Sequence, residues 1–116
     1  MRFMMMVKSD STVPPTPELM EAMGELIQRE TAAGRLIDTG GLMPKSQGFE
    51  VRLANGEIEV TDGPFAEARE VVGGYAIFEF ASREEAVASG IEFLELHRKF
   101  APGWEGVCDA RQMATE

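Results

Sequence analysis

The chain has 116 residues, of which 44% are hydrophobic and 27% charged, a composition typical of one folded globular domain over residues 1–116. Twenty acidic residues against eleven basic ones give a net charge of −9, which repels nucleic-acid backbones and anionic membrane surfaces. Nucleic acid and membranes are therefore excluded as predicted partners. The single cysteine, Cys108, favours a reducing, cytoplasmic setting.

The first predicted elements are a strand and a helix. The apolar run over residues 3–7 is too short for a signal-peptide core or a membrane span, so it predicts a buried strand. Strand alternation separates Met4, Met5 and Met6 between two faces, which favours core packing over a shared metal ion. Thr16 as N-cap and Pro17 after it predict a helix over about 17–33, which Gly34 ends.

A hairpin is the clearest pattern in the sequence. Residues 49–54 and 57–60 alternate apolar and polar side chains on either side of Asn55-Gly56, which is typical of a two-residue type I′ turn. The other predicted elements are a strand over 35–39, a strand over 73–80, a helix from the capping box at 82–85 to about Lys99, and a closing strand over 106–113.

This order of elements predicts a ferredoxin-like split βαβ sandwich of the α+β class. Two helices cover one face of such a sheet, yet the strand around Ile77 is apolar on both faces. We therefore expect a second subunit on the open face, in a homodimer. The second helix fits two interpretations. In the first, it has two apolar faces, one for the sheet and one for a partner, formed by Val87, Gly90, Ile91 and Leu94 and by Phe93, Leu96 and Phe100. In the second, it has one broad apolar stripe.

Asp62 interrupts the regular pattern of the hairpin. The register pairs it with Phe49 and puts it in line with Val60 on the apolar face. One interpretation is that Asp62 caps a rigid turn with Gly63 and Pro64 through its own backbone. A second is a carboxylate presented at the edge of a pocket, where desolvation suits it to proton transfer. A metal ligand is the third, and no cluster with recognisable spacing accompanies it.

Other candidate residues each have two readings. His97, the only histidine, suits acid–base chemistry, or it is a partly exposed residue near a helix C-terminus. Asp38 is a further carboxylate in an otherwise apolar run, and its position is explained if the end of that strand is exposed to solvent. Tyr75 and Trp104 fit a ligand site or ordinary packing. The glycine pairs at 40–41 and 73–74 lack the spacing of a nucleotide-binding loop.

The motif Asp62-Gly63-Pro64-Phe65, the later Gly73-Gly74-Tyr75 and the closing Arg111 resemble the DGPF-domain branch of the YCII-related family, across essentially the whole chain. The resemblance implies a ferredoxin-like fold in a dimeric α/β-barrel arrangement. Most of the family has no assigned activity. One related branch includes a chloromuconolactone dehalogenase, and DGPF members resemble proteins encoded beside sigma factors. Other YCII-like proteins carry a His-Asp pair proposed as an active site, but this sequence has no histidine in its first-helix region.

Two functional hypotheses follow. The first is a dimeric small-molecule-binding protein with a pocket near the DGPF turn and dehalogenase- or lyase-like acid–base chemistry on a small organic substrate. The alternative is a non-catalytic regulatory or accessory module that binds another protein. No cofactor and no metal are predicted. For the first hypothesis, the predicted catalytic residues are Asp62 and His97, and the predicted substrate-binding residues are Gly63, Pro64, Phe65, Tyr75 and Arg111.

Overall fold

The computed structural model describes residues 1–63 and 71–114 of the chain. Within these residues the elements are β1 (Arg2–Ser9), α1 (Pro17–Ala32), β2 (Leu36–Gly41), a 3-10 turn (Lys45–Gln47), β3 (Phe49–Ala54), β4 (Glu57–Asp62), β5 (Val71–Glu79), α2 (Arg83–Phe100) and β6 (Val107–Gln112).

Four strands form an antiparallel sheet in the order β2-β5-β1-β6, and β3 and β4 form a separate hairpin. With two helices, this strand order is that of the ferredoxin-like α+β fold, so the predicted fold class is confirmed. The hairpin is inserted between the second and third strands of that fold. Neither of the two helices in the described part of the chain is long and apolar enough to cross a membrane.

The start of α1 joins the two helices to each other. Thr16 Oγ1 accepts a hydrogen bond from Leu19 N at 3.1 Å, as an N-cap does, and donates one to the Phe100 carbonyl at 2.6 Å. Arg29 on α1 also pairs with Glu92 on α2. The predicted cap is confirmed, and the same hydroxyl holds the N-terminus of α1 against the end of α2.

The central pairing of β1 with β5 sorts side chains between the two faces of the sheet. Phe3 lies opposite Phe78 on the face that the helices cover. Met4 lies opposite Ile77 on the other face, which we call the open face because no helix of the described residues covers it. Met5 is buried on the helix face while Met4 points away, so the predicted separation of the methionines is confirmed.

The buried core occupies one end of the helix face. Phe78 and Phe80 stack with ring centroids 4.9 Å apart, and Phe3 lies against Phe80 at 6.1 Å. The cluster consists of Phe3, Met5, Phe78, Phe80 and Ala86, with Leu36, Ala76 and Cys108 packed against it. Its members come from the beginning of β1, the beginning of α2 and the end of β5. The other end of the helix face is not covered by this cluster.

The inner face of α2 coincides with neither of the two predicted faces. Ala86 and His97 are buried, whereas Ile91 is 56% exposed. Small residues explain the difference, since Ala86 and Gly90 let the helix approach the sheet closely. A Cβ at Gly90 would lie 3.8 Å from Cys108 Sγ. The inner stripe therefore follows residues 86, 90, 93 and 97, which lies between the two predicted faces.

The hairpin has the predicted register but no cover. Phe49 pairs with Asp62 and Leu53 with Ile58, and positive φ angles at Asn55 and Gly56 fit the predicted turn. The five apolar side chains of its one face are 59–72% exposed: Phe49, Val51, Leu53, Ile58 and Val60. This apolar face lies open to solvent in the single chain.

The base of the hairpin closes on Gly63. Its amide donates a hydrogen bond to the Gly48 carbonyl at 2.9 Å. A Cβ at this position would lie 2.8 Å from the carbonyl oxygens of Lys45 and Ser46. Both obstacles are backbone atoms of the 3-10 turn, so the space permits glycine alone without movement of the chain.

We expect Gly63→Ala to lower the free energy of unfolding by about 1–3 kcal/mol, because the 3-10 turn must shift to admit a methyl group. Chemical denaturation followed by circular dichroism measures this change. Gly24→Ala is the control, since a Cβ there meets nothing within 4 Å. Alanine inside α1 should be neutral or raise stability by up to about 1 kcal/mol. Equal free energies of unfolding for the two variants would show that the 3-10 turn shifts without measurable cost, and would contradict this prediction.

Candidate functional site

A cavity of about 580 Å³ lies between α1, the sheet and the end of α2. It exists because α1 packs most closely against α2 and β2, and so stands away from the middle of the sheet. Met20 is 60% exposed although it lines the cavity, so the space opens to solvent beside α1. The wall is mostly apolar and includes Met5, Met20, Met23, Leu26, Phe93 and Trp104.

The floor of the cavity is built from residues with little or no side chain. Gly41 of β2 pairs directly with Gly74 of β5, and Thr39 pairs with Ala76 two residues earlier. All four line the cavity, together with Gly40. The glycine pairs at 40–41 and 73–74 therefore leave the space empty, because they supply no side chains to meet those of α1.

His97 provides an imidazole on the cavity wall. The residue is only 7% exposed, so the predicted partial exposure is wrong, although His97 does lie near the C-terminus of α2. The ring packs against Phe93, with centroids 4.6 Å apart, and against Trp104, at 4.3 Å. The burial follows from the inner stripe of α2, which continues from position 93 to position 97.

Hydrogen bonding distinguishes the two nitrogens of His97. Nδ1 lies 2.9 Å from the Phe93 carbonyl, and because a carbonyl oxygen only accepts, Nδ1 carries the hydrogen. In residues 1–63 and 71–114, Nε2 has no hydrogen-bond partner, yet no buried polar side-chain atom there is left unsatisfied. Nε2 is therefore reached by solvent through the cavity, where it can accept a hydrogen bond or a proton.

Trp104 also packs against the imidazole. Its amide donates to the Ala101 carbonyl at 3.0 Å, which folds the segment after α2 back over His97. A Cβ at Gly106 would lie 2.3 Å from Cη2 of the indole, so the ring occupies the space that a side chain at Gly106 would need. Glycine at this position fixes where the indole lies.

Glu30 is the buried carboxylate of the cavity wall. Arg35 Nε donates to Glu30 Oε2 at 3.0 Å, and Arg29 Nε lies 3.8 Å from the same oxygen. The hydrogen bond to Glu30 raises the pKa of Arg35, and the bond from Arg29 to Glu92 raises the pKa of Arg29. Pairing with guanidinium groups allows the carboxylate of Glu30 to be buried beside an apolar cavity.

Cys108 lines the same wall from β6. Burial raises the pKa of its thiol, and the neighbouring Asp109 carboxylate raises it further. The thiol therefore stays protonated near neutral pH and packs as a small apolar group. Asp109 itself has a lowered pKa because Lys8 donates a hydrogen bond to it at 2.9 Å on the open face.

Asp62 and His97 are not brought together. Asp62 ends β4, is exposed, and is not among the residues that line the cavity, whereas His97 is buried on its wall. The register that put Asp62 on the apolar face of the hairpin is confirmed, but that face is uncovered, so the expected desolvation is not present in the single chain. Of the neighbouring predicted residues, Pro64 and Phe65 lie outside the described residues.

Tyr75 and Arg111 lie on the sheet. Tyr75 is part of the cavity wall, but strand alternation directs its side chain with Ile77 toward the open face, where its hydroxyl donates to Asp38 Oδ2 at 3.3 Å. Asp38 reaches that face because of an irregularity after Leu36, which reverses the alternation of β2. Arg111 is exposed on β6 and lies 3.7 Å from Asp109.

The described residues hold no group of three or more metal-ligating side chains. Sequence reasoning missed the cavity and the role of Trp104 in holding His97. The sequence signal for the cavity is the two glycine pairs at 40–41 and 73–74, which lie in strands that pair with each other in the sheet.

Comparison with known proteins supports the resemblance found in the motifs. The family model of the YCII-related domain matches residues 1–91, and the chain belongs to this family. An uncharacterized protein of Rhizobium meliloti (strain 1021) is 32% identical over 69 residues. That match covers 60% of this chain and 56% of the relative's own length.

We expect Gly106→Ala to displace the Trp104 indole, because a methyl group cannot occupy the space beside Cη2. Trp104 is the only tryptophan, so the shift is measurable as a red-shifted emission maximum with increased quenching by acrylamide. Gly41→Ala is the control, since a Cβ there meets nothing within 4 Å. An unchanged emission spectrum for Gly106→Ala would contradict the tight seating of the indole.

Proposed function

We propose that this chain is a homodimeric cytoplasmic protein that binds a small organic molecule in the cavity and performs acid–base chemistry on it at His97. The observation that carries the proposal is a cavity of about 580 Å³ with a buried imidazole on its wall. The single cysteine supports the cytoplasmic location, because a chain without an internal disulfide is typical of reducing compartments.

The size and polarity of the cavity support ligand binding. Pockets for small molecules measure roughly 300–1,000 Å³ and combine an apolar wall with a few polar groups that orient the ligand. Here the polar side chains of the lining include His97, Glu30 and Thr39. Water against the apolar remainder of the wall is unfavourable, so an apolar ligand gains free energy by displacing it.

The surroundings of His97 support proton transfer. Its free Nε2 can take a proton from a ligand, and the imidazolium so formed keeps its hydrogen bond from Nδ1 to the Phe93 carbonyl. His97 also lies in the last turn of α2, where the helix dipole stabilises a positive charge. Contacts with Phe93 and Trp104 and the hydrogen bond from Nδ1 restrict the ring, which favours one orientation of Nε2 for the ligand.

Filling the cavity should abolish binding. Ala76→Leu adds a larger side chain on the cavity floor, and we expect it to weaken binding of the neutral apolar dye N-phenyl-1-naphthylamine at least about tenfold. Dye fluorescence measures the affinity. Ile77→Leu changes the next residue on the opposite face of the same strand, and it should leave the affinity unchanged. Equal affinities for both variants and the wild type would place the dye elsewhere and remove the support for this cavity.

Two uncovered apolar surfaces support the homodimer. The open face of the sheet presents Met4, Met6 and Ile77, which are only partly buried in the single chain. The hairpin adds a second apolar face on the insertion between β2 and β5. Contiguous apolar surface of this kind marks interaction sites, and a second copy of the chain would cover the open face symmetrically.

A charge on the open face should separate the subunits. We expect the wild type to be a dimer at micromolar concentration by light scattering, and Ile77→Glu to be a monomer, because dimerisation would bury its carboxylate without a partner. Ile91→Glu, on the exposed side of α2, should remain a dimer. A wild type that is monomeric and copurifies with one stoichiometric protein would instead favour the accessory-module alternative.

A further inference from the structure

We infer that the cavity binds a planar aromatic molecule that carries a hydroxyl group, and that this hydroxyl donates a hydrogen bond to Nε2 of His97. The inference rests on the proposed function, since it names the class of ligand for the same cavity. It concerns the phenolic class as a whole and not one compound.

The hydroxyl group of the ligand is inferred from the hydrogen bonds that the imidazole of His97 can form. Nδ1 keeps its hydrogen on the Phe93 carbonyl, so the neutral ring offers only a lone pair at Nε2. The residue is 7% exposed, and none of the described carboxylates forms an ion pair with its imidazole. A lone pair accepts from a donor and repels a carboxylate, which selects a hydroxyl over an acid.

The aromatic ring of the ligand is inferred from the side chains that surround Nε2 of His97. The imidazole lies against the rings of both Phe93 and Trp104, so a ligand that reaches Nε2 comes close to aromatic rings. The opposite wall carries the thioethers of Met20 and Met23, which α1 directs into the cavity. Sulfur makes favourable contacts with aromatic rings, and unbranched methionine adapts to a flat ligand.

Glu30 lies on the other helix of the cavity wall. One of its oxygens, Oε2, is held by Arg35 and approached by Arg29. This carboxylate belongs to α1, whereas His97 lies on α2 against Trp104. Trp104 offers only an indole donor and the Tyr75 hydroxyl is bonded to Asp38, so Nε2 is the acceptor that a phenol meets among the aromatic side chains of the wall.

Isothermal titration calorimetry with matched probes tests this inference. The probes are 2-naphthol, which has the hydroxyl, 2-methoxynaphthalene, which has the same ring system without a donor, and 2-naphthoate, which carries a carboxylate. For the wild type we expect 2-naphthol to bind about tenfold more tightly than 2-methoxynaphthalene, as one hydrogen bond provides. We expect 2-naphthoate to bind more weakly than either.

His97→Phe removes Nε2 and retains an aromatic ring between Phe93 and Trp104. In this variant 2-methoxynaphthalene should bind as it does to the wild type, and the advantage of 2-naphthol should fall to about onefold. Ile91→Ala, on the exposed side of the same helix, should keep the tenfold ratio. If His97→Phe does not fold, the three wild-type affinities still decide the question.

The outcomes separate the inference from the proposed function. If 2-methoxynaphthalene binds and Ala76→Leu blocks it, but 2-naphthol has no advantage, the cavity binds ligands and the phenol inference is wrong. Tighter binding of 2-naphthoate than of 2-naphthol would also overturn it, since it would show a charged imidazole. Binding of none of the three probes would overturn both the inference and the proposed function.

Discussion

The antiparallel pairing of β1 with β5 is the constraint on which the rest of the structure depends. Successive residues of these central strands point to opposite faces, so Phe3 and Phe78 meet the helices while Met4 and Ile77 meet the open face. A shift of one residue in this register would exchange the two sets completely. The core, the cavity and the uncovered apolar surface all follow from this division.

The helix face is itself divided along its length. Aromatic side chains fill one end, where Phe78 and Phe80 stack, and glycines form the floor at the other end. Close packing is normal for protein interiors, and the side chains of α1 are too far from the Gly41–Gly74 pair to achieve it. The candidate site therefore arises where the packing of the core stops, with His97 and Trp104 at its end.

The DGPF motif has a structural reason for its glycine. Gly63 lies against the carbonyl oxygens of Lys45 and Ser46, so the turn after β4 is closed by backbone contact. Asp62, which the motif and the register both singled out, stands exposed on the uncovered hairpin. Membership of the YCII-related family agrees with the fold. The catalytic role of Asp62 and the substrate-binding role of Arg111 stay predictions.

Local chemistry in the sequence determined the elements and their register. The Thr16 cap, the Asn55-Gly56 turn and the alternation of β1 each act within a few residues, so pattern alone predicted the helices, the hairpin pairing and the ferredoxin-like order. The tertiary structure decided how distant residues meet. It paired Gly41 with Gly74, seated Trp104 over Gly106, and turned His97 inward along a stripe that small residues made possible. These contacts join residues that lie far apart along the chain or in different elements, so no periodicity within one element encodes them.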